Sequence, residues 1–245
     1  MEIILKILIA IIPSILALIY IKSFIKHTCP KREIWLTFSF SILISTLLLA
    51  VLFIAGLLSA KYEINVTLFP SNTSDPLIYG ILCSLFTTAV PEEGFKLIII
   101  LLFCSRKKYF KKPIDGMVYG AAVSIGFATI ENILDVVFEG TLAILGGMKI
   151  LLLHAMLGGI MGYHLSRSRL CKGYCYKKVL LAFVIPCGLH ALHNFPGFFM
   201  DSILANDYNM PILFYLLLLV IPFASLVISF CIVKKYLSVI KGEEV

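Results

Sequence analysis

Charged residues are scarce in this chain. Asp, Glu, Lys and Arg make up 14% of its residues, whereas a soluble domain contains about 25%. Hydrophobic residues make up 60%, and the mean hydropathy is +1.00. This composition excludes an ordinary soluble enzyme. It predicts an all-α, polytopic transmembrane helical bundle.

Several signatures of familiar hydrolases and transporters are also absent. The sequence contains neither H-E-x-x-H nor G-x-S-x-G, which are the local patterns of zinc metalloproteases and serine hydrolases. The aspartates form no convincing pair within an apolar stretch, which argues against an aspartyl protease. We find no internal repeat, although secondary transporters usually have repeated halves.

Seven apolar stretches fill nearly the whole chain. They cover residues 3–21, 35–58, 77–104, 114–138, 142–165, 179–200 and 211–233. Stretches of about 20 apolar residues can each cross a bilayer as a helix. We therefore expect a single integral membrane domain over residues 1–245, with seven spans around a polar cavity. The alternative is that one weak stretch, such as the fifth, is re-entrant.

The short loops alternate in charge. Basic loops follow the first, third, fifth and seventh stretches, and neutral or acidic loops follow the second, fourth and sixth. By the positive-inside rule, this pattern places the N-terminus outside and the C-terminus in the cytoplasm. The net charge of +7 therefore reflects membrane topology and does not indicate a nucleic-acid partner.

Three charged residues interrupt the third stretch. Glu92, Glu93 and Lys96 lie in Pro-Glu-Glu-Gly-Phe-Lys, with apolar runs on both sides. A charge near the bilayer centre costs about 2.5–3.5 kcal/mol on insertion scales, so such groups usually face a cavity or the protein interior. On a helix, Glu92 and Lys96 share a face, whereas Glu93 lies about 100° away. One carboxylate can thus be paired while its neighbour contacts something else.

Ionisable side chains occur at similar depth in four of the stretches. Counted from the cytoplasmic ends at about 1.5 Å per residue, Glu93, Glu131, His154 and His190 lie roughly 17–24 Å deep. We interpret this convergence as a single polar cavity. Structural roles stay open: Glu131 could cap an internal hydrogen-bond network, and His154 could be a satisfied core histidine. Asn194 shares a helix face with His190 and could orient its ring or bind a substrate carbonyl.

A carboxylate beside two histidines can activate water for hydrolysis. Either of the two adjacent glutamates would be the general base, while a neutral histidine or Asn194 would support an oxyanion. The same side chains could instead hold a divalent metal such as zinc, with His154, His190 and Glu131 as a His₂Glu site. We favour the metal-free form, because Asn194 is a poor metal ligand and the paired glutamates supply a base.

Four short motifs follow one another between residues 77 and 198. They are E-E-x-x-K from Glu92, G-F-x-x-x-E-N from Gly126, a histidine among small residues at His154, and H-x-x-x-[DN] from His190. In this order and spacing they resemble the PrsW family of intramembrane proteases, related to the CAAX prenyl-endopeptidase and Abi-type superfamily. The resemblance implies that residues 77–198 form the catalytic core spans. Asn194 departs from the aspartate usual in PrsW proteins and matches the CAAX-type relatives.

The resemblance implies an intramembrane peptidase that hydrolyses a peptide bond of a membrane-associated protein. PrsW proteins cleave a membrane-bound anti-sigma factor in regulated proteolysis, which suggests one substrate class. The residues expected to be catalytic are Glu92, Glu93, Glu131, His154, His190 and Asn194. The alternative is a proton- or ion-coupled transporter that uses the buried carboxylates as relay groups. The expected partners are the lipid bilayer and a membrane-protein substrate, and the sequence indicates no oligomeric state.

Overall fold

The computed structural model describes residues 2–23, 30–61, 75–170, 175–206, 208 and 210–243. This part of the chain contains α-helices and π-helical segments and no strand. The α-helices are α1 (Glu2–Lys22), α2 (Lys31–Lys61), α3 (Pro76–Leu82), α4 (Val90–Ile99), α5 (Pro113–Phe138), α6 (Ala143–Leu170), α7 (Tyr176–Ala205) and α8 (Ile212–Glu243). Two π-helical segments, Cys83–Ala89 and Ile100–Cys104, adjoin α4. The predicted helical membrane bundle is confirmed.

Six of the described helices are long and apolar enough to cross a membrane, namely α1, α2, α5, α6, α7 and α8. The remaining predicted span corresponds to α3, α4 and the two π-helical segments, which together we call the composite span. Pro91 gives a physical reason for the first π-helical segment. Proline has no N–H to donate, and its ring clashes with the carbonyl four residues earlier. The wide turn ends just before Pro91, where the Val90 N–H donates to the Leu85 carbonyl.

The helices α5 and α6 form the centre of the bundle and approach each other backbone to backbone. A Cβ atom on Gly120 would lie 2.0 Å from the Gly158 carbonyl oxygen, and one on Gly162 would lie 1.8 Å from that of Gly116. Only glycine permits this approach, which is the close packing that small residues favour between membrane helices. Most of α5 is buried, with α1 and α2 packed against it.

The last helix extends beyond the apolar stretch that predicted it. We expected the seventh span to end at residue 233, but α8 continues to Glu243. Tyr236 and the buried Ile240 pack with Met117 of α5 and Tyr163 of α6 in one apolar cluster. This contact stabilises helical turns that hydropathy alone assigned to a tail.

Several helix ends meet at one end of the bundle, which we call the basic end. Lys107, after the composite span, pairs with Glu33 at the start of α2, with Nζ and Oε2 2.6 Å apart. Arg167 of α6 pairs with Glu243 of α8 at 2.7 Å. Lys178 at the start of α7 donates to the Arg167 carbonyl at 3.2 Å. The loop before α5 and the end of α6 line a common cavity. The contact of Lys107 and the contacts of Arg167 therefore lie at the same end of the bundle.

Candidate active site

A buried ion pair lies at the centre of the site. Glu93 and Lys96 on α4 are both 0% exposed, and Lys96 Nζ lies 2.8 Å from Glu93 Oε1. The sequence suggested that Lys96 shares a face with Glu92, but Glu92 Oε2 is farther away, at 3.7 Å. Glu93 points into the protein, where an ionised carboxylate needs a partner. Breaking such a desolvated pair is therefore strongly unfavourable.

Two histidines contact this ion pair through their Nδ1 atoms. Nδ1 of His190 lies 2.9 Å from Glu93 Oε1, and Nδ1 of His154 lies 2.7 Å from Lys96 Nζ. A carboxylate only accepts and an ammonium only donates, so His190 donates from Nδ1 whereas His154 accepts there. The two rings lie edge to face with centroids 5.0 Å apart. Both histidines consequently direct Nε2, not Nδ1, towards other groups.

A cavity of about 480 Å³ opens beside these rings, and we call it the site cavity. Nε2 of His154 lies 3.0 Å from Glu131 Oε2, and Nε2 of His190 lies 3.8 Å from Glu92 Oε2. The side chains of Glu92 and Glu131 are 20% and 26% exposed. These two carboxylates can therefore meet water or substrate, in contrast to the enclosed Glu93.

The predicted site residues divide into two groups. Those that line the site cavity are Glu92, Glu131, His154, His190 and Asn194. Glu93 lies behind the histidines and is not among the lining residues. The Asn194 amide donates to the Thr88 hydroxyl at 3.2 Å, so a composite-span residue orients the amide group. The four helices α4, α5, α6 and α7 thus each contribute at least one predicted residue.

Several neighbours of the cavity were not predicted. Phe127 lines the cavity, and its ring centroid lies 4.3 Å from Lys96 Nζ. A cation over an aromatic face at this distance is attracted by the ring. Thr88 and Asp135 also line the cavity. Each lies four residues from a predicted glutamate, so helical spacing carried a signal that could have identified them.

The other two histidines of the site helices have separate partners. Nδ1 of His193 lies 3.0 Å from the Ser225 hydroxyl of α8. His164 is 9% exposed, and its Nε2 lies 2.7 Å from the Tyr236 hydroxyl. Both contacts join α8 to the rest of the bundle and lie outside the site cavity lining.

Glu92, His154 and His190 offer a set of metal-ligating atoms. One donor atom from each lies within 4.8 Å of the others. Oε2 of Glu92 is buried and has no hydrogen-bond partner among the described residues. Two imidazoles and a carboxylate are a ligand set that zinc uses, with a fourth position open. The chemistry of these three side chains therefore fits a divalent ion. Glu131, the ligand expected from the sequence, is outside this set.

The proton positions also bear on this fit. His190 is ready to bind through Nε2, because its Nδ1–H already donates to Glu93, an arrangement common among metal-bound histidines. His154 accepts from Lys96 at Nδ1, so its own ring proton lies on Nε2. Binding a metal through this atom requires the Lys96–His154 pair to release one proton. Release of ligand protons is a normal part of metal binding.

Comparison with known proteins gives a consistent result. A family model described as PrsW family intramembrane metalloprotease matches residues 30–226. Protease PrsW of Oceanobacillus iheyensis is 32% identical over 183 residues, which are 74% of this chain and 77% of the relative. Protease PrsW of Bacillus subtilis is 35% identical over 114 residues, 46% of this chain and 52% of the relative. Protease PrsW of Clostridioides difficile is 29% identical over 196 residues, 77% of each chain. These matches do not support the transporter alternative. No solved structure matches the chain.

Proposed function

Because this chain belongs to the PrsW family of intramembrane metalloproteases, we propose that its site cavity is the hydrolytic centre. The proposal rests on the difference in exposure between two adjacent glutamates. Glu92 faces the cavity and is 20% exposed, whereas Glu93 is enclosed with Lys96. Glu92 is thus the carboxylate that water can reach, and Glu93 holds the imidazole of His190. The catalytic core comprises residues 77–198, and α2 adds Leu48 and Leu49 to the cavity wall.

In the simplest mechanism, Glu92 accepts a proton from a water molecule as that water attacks the scissile carbonyl. The Nε2–H of His154 and the amide of Asn194 donate to the oxyanion that forms. Glu92 then returns the proton to the leaving amine as the peptide bond breaks. Glu131, 3.0 Å from His154 Nε2, orients that ring before the reaction.

The family description favours a metal form of the same centre. Glu92, His154 and His190 would hold a divalent ion such as zinc, because their donor atoms already cluster. A bound ion of this kind polarises the substrate carbonyl and lowers the pKa of its water. Glu131, which lines the cavity and is outside this ligand set, would then accept the proton of the attacking water.

Two isosteric variants distinguish these forms in the purified full chain, assayed in lipid nanodiscs with a membrane-anchored peptide substrate. Glu92→Gln is expected to lower kcat by about 10²–10⁴-fold in either form, since it removes the base or a ligand. Glu131→Gln is expected to cause a loss of that size only in the metal form. In that form a chelator also abolishes turnover, and added zinc restores it.

The matched control is Glu139→Gln, which neutralises an exposed glutamate just after α5, outside the site cavity lining. It should retain the full turnover rate. Thermal unfolding of each variant separates lost chemistry from lost folding. A well-folded Glu92→Gln protein that cleaves the substrate at the normal rate would exclude Glu92 from the mechanism.

The substrate we propose is a membrane protein, and the family resemblance suggests a membrane-bound anti-sigma factor. Within a bilayer, the backbone groups of a helical substrate are already hydrogen-bonded to one another. A cavity of about 480 Å³ accommodates a short extended segment better than an intact helix. Cleavage should therefore be faster for a substrate with a helix-breaking proline or glycine pair near the scissile bond than for its all-leucine counterpart.

The orientation we propose places the N-terminus outside and the C-terminus in the cytoplasm. The clustering of Lys107, Arg167 and Lys178 near one face supports it, because basic ends remain cytoplasmic. A Lys108→Cys variant should react with a membrane-impermeant maleimide only after the cytoplasmic side is opened. Labelling from the outside alone would show that the orientation is the reverse of the one we propose.

A further inference from the structure

The basic end of the bundle contains a second cavity, separate from the site cavity. It has a volume of about 420 Å³ and lies between the loop after the composite span and the end of α6. The cationic residues that line it are Arg106, Lys107, Lys108, Lys111 and Arg169. We propose that this basic cavity binds the phosphate group of an anionic phospholipid.

The basic cavity has an excess of positive charge. Its lining contains no acidic residue, and Lys107 has a carboxylate partner in Glu33 at 2.6 Å. In the described part of the chain, the other four cations form no ion pair with a carboxylate. Asp115, the nearby acidic residue at the start of α5, accepts from the backbone N–H groups of residues 111 and 112. Mutual repulsion among the four cations would be relieved by an anion.

The chemistry of these side chains suits a phosphate oxygen. Arg106 and Arg169 each carry a planar guanidinium group, which can bind a phosphate through two parallel hydrogen bonds. Lysine adds a compact positive charge. Ser166 also lines the cavity, but its hydroxyl already donates to the Tyr163 carbonyl at 2.8 Å. The cations, and not the hydroxyl, therefore provide recognition. The cavity volume lies within the range of about 300–1,000 Å³ that is usual for small-ligand sites.

The position of the basic cavity favours a lipid phosphate over a free phosphate ion. It lies where membrane helices end, and its wall includes Leu170, which is 58% exposed, and the buried Phe110. This combination of cations and apolar surface matches a headgroup joined to glycerol and acyl chains. Basic pockets between membrane helices are known to bind anionic headgroups in this way. An inorganic ion would gain nothing from the exposed leucine.

The test uses the full chain in nanodiscs of phosphatidylcholine alone and of phosphatidylcholine mixed with phosphatidylglycerol. Retained lipid is measured by native mass spectrometry and stability by thermal unfolding. The cavity variant neutralises the four unpaired cations: Arg106→Gln, Lys108→Gln, Lys111→Gln and Arg169→Gln. The control variant removes the same number of exposed charges near the basic end, outside the cavity lining: Lys177→Gln, Lys234→Gln, Lys235→Gln and Lys241→Gln.

We expect phosphatidylglycerol to raise the unfolding temperature of the wild-type and control proteins. The cavity variant should lose this rise and bind phosphatidylglycerol at least about tenfold more weakly, because each cation near an anionic lipid contributes roughly a fivefold factor. Unchanged unfolding in phosphatidylcholine shows that the variant is folded. If it is not folded, the double variant of Arg106→Gln with Lys108→Gln replaces it, with a smaller loss expected.

Two results would overturn the proposal. Equal loss of lipid binding in the cavity and control variants would mean that bulk charge, and not this cavity, attracts the lipid. The other is stabilisation by inorganic phosphate in phosphatidylcholine nanodiscs without any added effect of phosphatidylglycerol, which would identify a free-anion site.

Discussion

The site cavity and the basic cavity are similar in volume, at about 480 and 420 Å³, but the charged side chains around them differ in how they are paired. Around the site cavity, Glu93 and Lys96 form a fully buried ion pair that two imidazoles complete. In the basic cavity, Lys107 has a carboxylate partner, and the cations around it do not within the described part of the chain. The difference follows from depth, because an unpaired charge is costly within the bilayer and tolerable at its surface.

Because of this difference in depth, we expect the two cavities to respond differently to the loss of one charge. Beside the site cavity, neutralising one member of the Glu93–Lys96 ion pair leaves its partner buried without a countercharge. In the basic cavity, water or a lipid headgroup can replace a missing partner. Mutations that remove single charges therefore test this difference between the two cavities.

The largest effect on stability is expected from Lys96→Met. This change leaves Glu93 ionised in a fully buried position, which should lower the free energy of unfolding by about 3–5 kcal/mol. Adding Glu93→Gln should recover part of that loss, since it removes the orphaned charge. Denaturation of the two single variants and the double variant in the same detergent measures the coupling.

The matched control is Lys149→Met, which neutralises an exposed lysine on α6. It should change stability far less than Lys96→Met. If the two lysine variants were equally stable, the Glu93–Lys96 pair would have no special role, and the two cavities would not differ in the way we describe.

The composition and hydropathy pattern predicted much of this architecture. Hydropathy located the spans, and counting residues from their ends brought Glu131, His154 and His190 to one depth. A helical wheel could not say which of the two adjacent glutamates faces the cavity. The wheel assumes 3.6 residues per turn, whereas wide π-helical turns precede and follow α4. Tertiary contacts, chiefly that of His190 with Glu93, then determine which face of α4 points towards the cavity.

The packing of α5 against α6 was partly visible in the sequence as well. The fourth stretch contains Gly116, Gly120 and Gly126, and small residues favour close helix contacts, but the sequence does not identify the opposing residues. The structure pairs Gly116 with Gly162 and Gly120 with Gly158. On α6, these contacts lie between His154 of the site cavity and Ser166 of the basic cavity. The glycine contact therefore lies between the two cavities along α6.

An intermediate effect is expected from Gly162→Ala. Its Cβ would lie 1.8 Å from a backbone oxygen, so α5 and α6 must move apart, and overpacking of this kind costs typically 1–3 kcal/mol. Gly159→Ala, whose nearest atom would be 3.8 Å away, is the matched control and should be neutral. Thermal unfolding measures both. Equal stability of the two variants would show that the glycine contact does not fix the helix spacing.

The smallest effect is expected from Glu33→Gln, which removes the carboxylate partner of Lys107. The Glu33 and Lys107 side chains are 27% and 14% exposed, and pairs near the surface contribute about 0.2–1 kcal/mol. Unfolding in phosphatidylcholine nanodiscs should therefore shift only slightly. The basic cavity would then have five unpaired cations, so phosphatidylglycerol should stabilise this variant more than it stabilises the wild type. Glu2→Gln, which breaks the pair with Lys6 on α1, is the control and should leave the lipid response unchanged. A Glu33→Gln protein that unfolds as readily as Lys96→Met would contradict the depth argument, because a charge at the membrane surface would then be as costly to leave unpaired as one within the bilayer.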